Sequence, residues 1–258
     1  MIITSRENKI FKMAMALKTS RGRSDARMFM VEGVRAVRDA ISKGAKLYCV
    51  IEKDGVKSDI EYNCPVYIFA PKLFDNVSET VTPQGVMAIV HMHNHTLRDV
   101  LNTRKNCVVM CEALQDPGNI GTVIRTAHAA SVAGVILTKG CCDLYNPKIV
   151  RSTMTGMMSI PVVQNVIADE TIMFFKKNGY KAVAGALTDT AVDFYGESLE
   201  GNYLIIIGNE GNGVTNDTLS MCDKIVKIPM ESDAESLNAA IAGAVMIYEH
   251  YRQNIKKL

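Results

Sequence analysis

Three stretches of this 258-residue chain set polar side chains beside glycines in patterns that could serve a reaction. In QDPGNIGTVIR (115–125), an amide at Asn119 and a guanidinium at Arg125 stand six residues apart. GNEGNG (208–213) holds a lone carboxylate, Glu210, in a turn whose glycines permit positive φ and close backbone approach to a ligand. PMESDAESLNAA (229–240) places Ser236 and Asn238 at the entry of an apolar helical pattern. An arginine can hold a phosphate and stabilise an oxygen that is gaining negative charge. Neither of the other two loops contains lysine or arginine, so their hydroxyl, amide and carboxylate groups suit a neutral or cationic small molecule better than a polyphosphate. The glycine turn lacks the GK[ST] of a Walker loop, and it follows the fifth strand-like run of its region, where a dinucleotide loop would follow the first.

Each stretch also has a purely structural reading. Asn119 can cap a helix, with Ile120, Val123, Ile124, Ala127 and Ala130 as its core stripe and Arg125 about 100° round from Ile124. The glycine turn can simply connect two elements, and Ser236 or Asn238 alone would be a cap. His91, His93 and His95 would share one face of an extended strand, but no Cys or carboxylate stands at a ligand spacing, and no metal site is expected. Neither a serine-hydrolase elbow nor a Cys/His nucleophile pair is visible.

The elements that must position these loops are legible from periodicity. In residues 107–258, apolar strand-like runs at 107–113, 134–139, 160–166, 181–187, 203–209 and 224–230 alternate with helical patterns at 119–131, 147–157, 169–178, 215–221 and 236–257. Runs such as YLIIIG show no alternation, as strands of a parallel sheet covered on both faces should not. The three polar stretches follow strands, and open α/β sheets bind ligands at the carboxyl ends of strands. The first part reads as a smaller α/β domain. Its helices are expected at 8–18, 34–43 and 71–78, and its strands at 28–33, 47–52, 65–69 and 85–90. Polar HMHNHTLRDVLNTRKN (91–106) reads as a connector, giving domains of 1–97 and 107–258 joined by a linker at 98–106.

Composition narrows the function. The apolar share of 48% allows sizeable cores, yet no apolar run reaches the roughly 18 residues of a membrane span. The start, MIITSRENKIFK, has charges where a signal peptide would be apolar, and seven cysteines without a CxxC read as reduced thiols. A cytoplasmic protein is expected. Residues 1–106 hold 17 Lys/Arg against 11 Asp/Glu, whereas residues 107–258 hold 12 against 16. A basic front on a mildly acidic remainder fits a polyanion-docking module attached to another domain.

Together, DPGNIGTVIRTA (116–127), IIIGNEGNGV (205–214) and IPMESDAESLNAAIA (228–242) resemble, in order and spacing, the three signature motifs of the SpoU/TrmH-type RNA 2′-O-ribose methyltransferases of the SPOUT superfamily. The resemblance covers residues 107–258, and the front domain more loosely resembles the family's accessory substrate-binding domain. It implies an α/β fold with a small N-terminal RNA-binding domain and a C-terminal, mostly parallel-sheet domain tied in a trefoil knot, working as a homodimer. It further implies S-adenosyl-L-methionine as cofactor, contacted by Gly208, Ile228 and Leu237 with Leu187 and Asn209 as neighbours. Asn119, Arg125, Glu210, Ser236 and Asn238 match the polar positions tied to catalysis and substrate holding.

The implied reaction is an in-line displacement by a ribose oxygen, so alignment is its main demand. A guanidinium is a poor base. The role expected for Arg125 is therefore to hold the adjacent phosphate and stabilise charge on the 2′-oxygen, with the proton lost late to phosphate or water. Three departures bear on loop shape: Ser232 and Thr155 stand where the family usually has glycine, and Ala240 where it often has serine. The expected substrate is structured RNA, ribosomal RNA ahead of tRNA. The competing readings are a catalytically silent RNA-binding protein and a base-methylating relative, and the Ser236-Leu237-Asn238 sequence favours the ribose branch over the latter.

Overall fold

Short capped helices and two separate sheets organise the chain, which the computed structural model describes at residues 1–153, 156–231 and 236–255. Two units emerge: Met1–His93 with Tyr145–Met158, and Asn94–Leu144 with Ser159–Leu258.

In the first unit, β1 (Ile2–Ile3), α1 (Lys9–Ala16), α2 (Ser20–Ala26), β2 (Met28–Glu32), α3 (Val34–Ser42), β3 (Leu47–Lys53), β4 (Val66–Phe69), α4 (Pro71–Val77) and β5 (Val86–His91) follow one another. The sheet order is β1-β4-β3-β5-β2. β1, β4 and β3 run parallel, and β5 is antiparallel to both β3 and β2. Asn8 starts α1 by accepting from the amides of Ile10 and Phe11. Ile10, Phe11, Ala14 and Leu17 then pack with Leu73, Phe74 and Val77 of α4 onto Cys49, Ile51, Phe69, Met87 and Ile89 of the sheet. Two elements escape the apolar periodicity: β1 has two residues, and α2 reads SRGRSDA. Arg23 of α2 is buried because its guanidinium donates to the carbonyls of Leu17 and Lys18, closing the α1–α2 corner.

The second unit carries α5 (Leu97–Asn102), β6 (Cys107–Cys111), α6 (Pro117–Ala129), β7 (Gly134–Thr138), β8 (Val162–Val166), α9 (Ala168–Lys177), β9 (Lys181–Gly185), β10 (Val192–Asp193), β11 (Tyr203–Ile207), α10 (Asn216–Ser220), β12 (Lys224–Lys227) and α11 (Ala239–Asn254). Between β7 and β8, α7 (Pro147–Ser152) belongs to the first unit, and α8 (Gly156–Ser159) begins there. The sheet order is β10-β12-β9-β11-β6-β7-β8, and every pairing is parallel. Here β6, β7 and β11 are buried at every residue, as strands covered on both faces should be. One face packs against α5, α9 and α10 through Val100, Phe175 and Leu219. Helices α6 and α11 pack together, and α11 lies against β11 and β6. Gly243 makes the close seating possible: a Cβ there would stand 2.4 Å from Ile207 Cδ1.

Some boundaries differ from the sequence expectation. The stretch read as connector holds α5, started by a reciprocal capping box between Thr96 and Asp99. The expected 147–157 helix divides into α7 and α8, and α11 begins at Ala239 because Asn238 is its N-cap. Thr155 and Ser232 lie outside the described residues. Among the described residues no helix is long and apolar enough to cross a membrane, and all seven cysteines are free thiols.

Candidate active site

Because the sheet is parallel, the loops after β6, β9, β11 and β12 leave it at one edge. Those after β9, β11 and β12, with residues of α10 and α11, surround a cavity of about 420 Å³, within the range of small-molecule sites. Every residue from Gly208 to Val214 lines it. Leu187, Gly208, Asn209, Ile228 and Leu237, the residues expected at the cofactor, are all in the wall, as are Glu210 and Ser236. Thr188, Lys227, Met230 and Met246 also line it; nothing in their spacing marked them in the sequence.

Backbone shape dominates this wall. Asn209 and Gly213 pair across the turn through both backbone bonds, at 3.0 and 2.9 Å. The Asn209 side chain accepts from the amides of Gly211 and Asn212 and donates 2.8 Å to the carbonyl of Ala113. Gly208 is needed for the fold-back, since a Cβ there would stand 2.2 Å from the carbonyl carbon of Gly213 and 2.3 Å from the nitrogen of Val214.

From that wall a hydrogen-bonded chain runs through all three polar stretches. Glu210 Oε1 accepts from Asn119 Nδ2 at 2.9 Å and from the Asp116 amide at 3.1 Å, and its Oε2 accepts from the Gln115 amide at 3.3 Å. Asn119 Oδ1 in turn accepts from Asn238 Nδ2 at 3.0 Å. Asn238 Oδ1 is occupied as the cap of α11, accepting from Ala240 and Ile241. Partial burial pushes the Glu210 carboxyl upward, but the bonds from Asn119 and the surrounding backbone amides outweigh it and hold the group below its ordinary value.

One expectation is corrected. Asn119 is not the N-cap of α6: Asp116 is, accepting 2.8 Å from the Asn119 amide, with Pro117 at the first helical position. The Asn119 side chain is instead buried and committed to Glu210 and Asn238. The structure does not bring Arg125 into this chain. It is exposed on α6, outside the cavity wall, with no hydrogen bond or ion pair among the described residues. Six residues on, it points about 240° round the helix from Asn119. Among the described residues no cluster of three or more His, Cys, Asp or Glu could hold a metal.

The groups that the cavity offers suit S-adenosylmethionine. Leu187, Ile228, Leu237 and Met246 give an apolar lining for a nucleobase, the glycine turn gives backbone donors and acceptors, and Glu210 offers negative charge to a cationic centre. The residues present fit that cofactor.

Residues 106–248 match the model of the SpoU rRNA Methylase family, and residues 8–88 match that of the MRM3-like substrate binding domain. The chain is 34% identical over 252 residues to the 23S rRNA (guanosine(2553)-2'-O)-methyltransferase RlmP of Bacillus subtilis, covering 95% of this chain and 97% of that protein. An AdoMet-bound rRNA methyltransferase from Sinorhizobium meliloti superposes with a TM-score of 0.89 at 28% identity, over 99% of both chains. The SpoU methyltransferase AviRb from Streptomyces viridochromogenes, also in complex with AdoMet, superposes at 0.86 and 28% identity, over 96% of this chain and 98% of its own.

Proposed function

The chain belongs to the SpoU rRNA methylase family, and from that premise we propose that it methylates the 2′-hydroxyl of a ribose in ribosomal RNA, using S-adenosylmethionine. One observation carries this reading. The cavity wall and the polar cluster share Glu210, so a small cationic methyl donor and a substrate hydroxyl would meet at one place. When bound, S-adenosylmethionine supplies a methyl group on a sulfonium. The chain's own residues do the rest. The turn 208–214 fixes the cofactor end, and Asn119, held by Glu210 and Asn238, aligns polar groups beside it. Arg125 holds a phosphate next to the target ribose and stabilises charge gathering on the 2′-oxygen, the proton leaving late to phosphate or water. Ser236 contributes its hydroxyl to the same wall.

The first unit is the RNA-docking domain in this reading, supported by its basic sequence and its match to a substrate-binding family model. The partition at 1–97, 98–106 and 107–258 and the trefoil knot belong to the same proposal, the knot on the strength of family membership. So does a homodimer. Ile241, Tyr248 and Tyr251 are exposed on α11 and fall within about 80° of one another round the helix, an apolar stripe of the kind that marks an interface. A cytoplasmic location follows from the RNA substrate.

Calorimetry with S-adenosylmethionine tests the cofactor, with micromolar binding expected. Mapping ribose-methylated nucleotides in total RNA, with and without this gene, tests the reaction. One ribosomal site should lose its methyl group. A lost tRNA site would make the tRNA reading right, and no change with intact cofactor binding would favour the silent RNA-binding reading.

A further inference from the structure

Glu112 is a buried carboxylate that makes no ion pair among the described residues and does not line the cavity. It stands directly after β6, and its two ends hold the two ends of the glycine-rich turn. Its backbone N–H donates to the carbonyl of Ile207, the last residue before that turn, at 2.8 Å. Its side chain takes the residues just after it. Oε2 accepts from the Thr215 amide at 3.1 Å, and Oε1 accepts from the hydroxyls of Thr215 at 2.8 Å and Thr218 at 2.6 Å. Between those anchors lie residues 208–214, all of them in the cavity wall. The neighbouring carbonyl, of Ala113, takes the Asn209 side chain.

We infer that Glu112 is a positioning residue for the cofactor: it touches no ligand but sets the span of the turn that does. This rests on the cavity being the S-adenosylmethionine site. The physical reason is that the turn is glycine-rich. Its glycines impose little backbone preference, so besides the internal Asn209–Gly213 pairing its placement depends on what holds its ends. A carboxylate is suited to the task because it accepts several bonds at once without a donor of its own. In a buried setting each of those donors would be costly to leave unmet.

Glutamine at 112 can keep the arrangement. Its carbonyl oxygen can accept from the Thr215 amide while its amide group donates to threonine hydroxyls, which rotate to accept. Alanine cannot. The experiment measures S-adenosylmethionine affinity by calorimetry on the full chain for wild type, Glu112→Gln, Glu112→Ala and Thr218→Val, with the KM for RNA and the melting temperature alongside. Expected is a loss of cofactor affinity of about tenfold or more in Glu112→Ala, a loss of a few-fold in Thr218→Val, near-recovery in Glu112→Gln, and an RNA KM unchanged throughout. Equal affinity in wild type and Glu112→Ala overturns the inference, as does an equal loss in Gln and Ala. Should Glu112→Ala fail to fold, Thr218→Val with unchanged affinity overturns it. Absence of binding in wild type would instead defeat the cofactor reading itself.

Discussion

Asn119 and Arg125 sit on one helix, six residues apart, and are built in opposite ways. Asn119 is buried with both ends of its amide committed, to Glu210 on one side and Asn238 on the other. Arg125 is exposed and makes no bond among the described residues. The loops around Asn119 are fastened to one another through Asn209, Glu210 and Glu112, so the cofactor side is finished within one chain. The arginine side awaits something from outside. That contrast separates two tasks: a small ligand needs a preformed wall, whereas a phosphate needs a cation that can reach it.

The sharpest way to break the contrast is to change each side and read both ligands. Arg125→Ala should lower kcat/KM for RNA about 10³-fold and Arg125→Lys about 10²-fold, because a point charge cannot replace the planar fork. Cofactor affinity should not move in either variant. Full activity in Arg125→Lys would show that bidentate holding is not needed. On the other side, Gly208→Ala forces a Cβ within 2.2 Å of backbone that the Asn209–Gly213 pairing fixes in place. Cofactor affinity should fall by roughly 30-fold, or about 2 kcal/mol. Gly211→Ala is the control, since its Cβ would meet nothing nearer than Asn209 Oδ1 at 3.6 Å. If calorimetry finds the two variants alike, the turn is not a shaped wall.

The same contrast explains what could be read from the chain alone. Strand runs such as LIII announce a sheet covered on both faces, and from there the loops at its carboxyl edge follow; which residues of those loops meet the cavity, Gly208, Ile228 and Leu237 among them, was legible only through the family resemblance. The role of Asn119 was not. An asparagine before an apolar stripe looks like a cap, and only tertiary structure shows that its partners lie 91 and 119 residues away. Asp116-Pro117 was the better local signal, an N-cap followed by proline at the first helical position. Likewise α5 hid in a polar stretch, though Thr96 and Asp99 carried its start. Glu112 gave no signal at all, since a carboxylate inside an apolar run tells nothing of which hydroxyls will meet it.

Salt separates the two sides by a smaller margin. RNA docking through phosphates releases counterions, so affinity should fall at least about tenfold between roughly 50 and 200 mM salt, with a log–log slope near −0.7 to −0.9 for each phosphate held. Cofactor affinity, resting on backbone groups, amides and apolar contact, should change by less than about twofold over that range. Parallel titrations of RNA and S-adenosylmethionine check this, and an equally salt-sensitive cofactor would mean that Lys227, the cation in the cavity wall, matters more than the turn.

The smallest effect concerns pH and belongs to the finished side alone. Folding holds the Glu210 carboxyl below its ordinary value of 4.5, because bonds from Asn119 and the backbone amides outweigh the upward push of partial burial. A carboxylate depressed in this way contributes stability that is fully present above its unfolded pKa and drains away as pH falls through the folded one. Glu210 is exposed, so solvent screening limits its contribution to about 1 kcal/mol or less. Thermal melts of wild type and Glu210→Gln should therefore differ by only a few degrees at neutral pH, with wild type the more stable. The gap should close as pH drops below 4.5, because protonation turns the wild-type group into a neutral acceptor much like the amide. Arg125→Ala should show no such closure, since a guanidinium does not titrate in that range. A gap for Glu210→Gln that stays constant down to acid pH would mean that shape, not charge, is what this carboxylate gives the turn, and the two sides would then differ in geometry only.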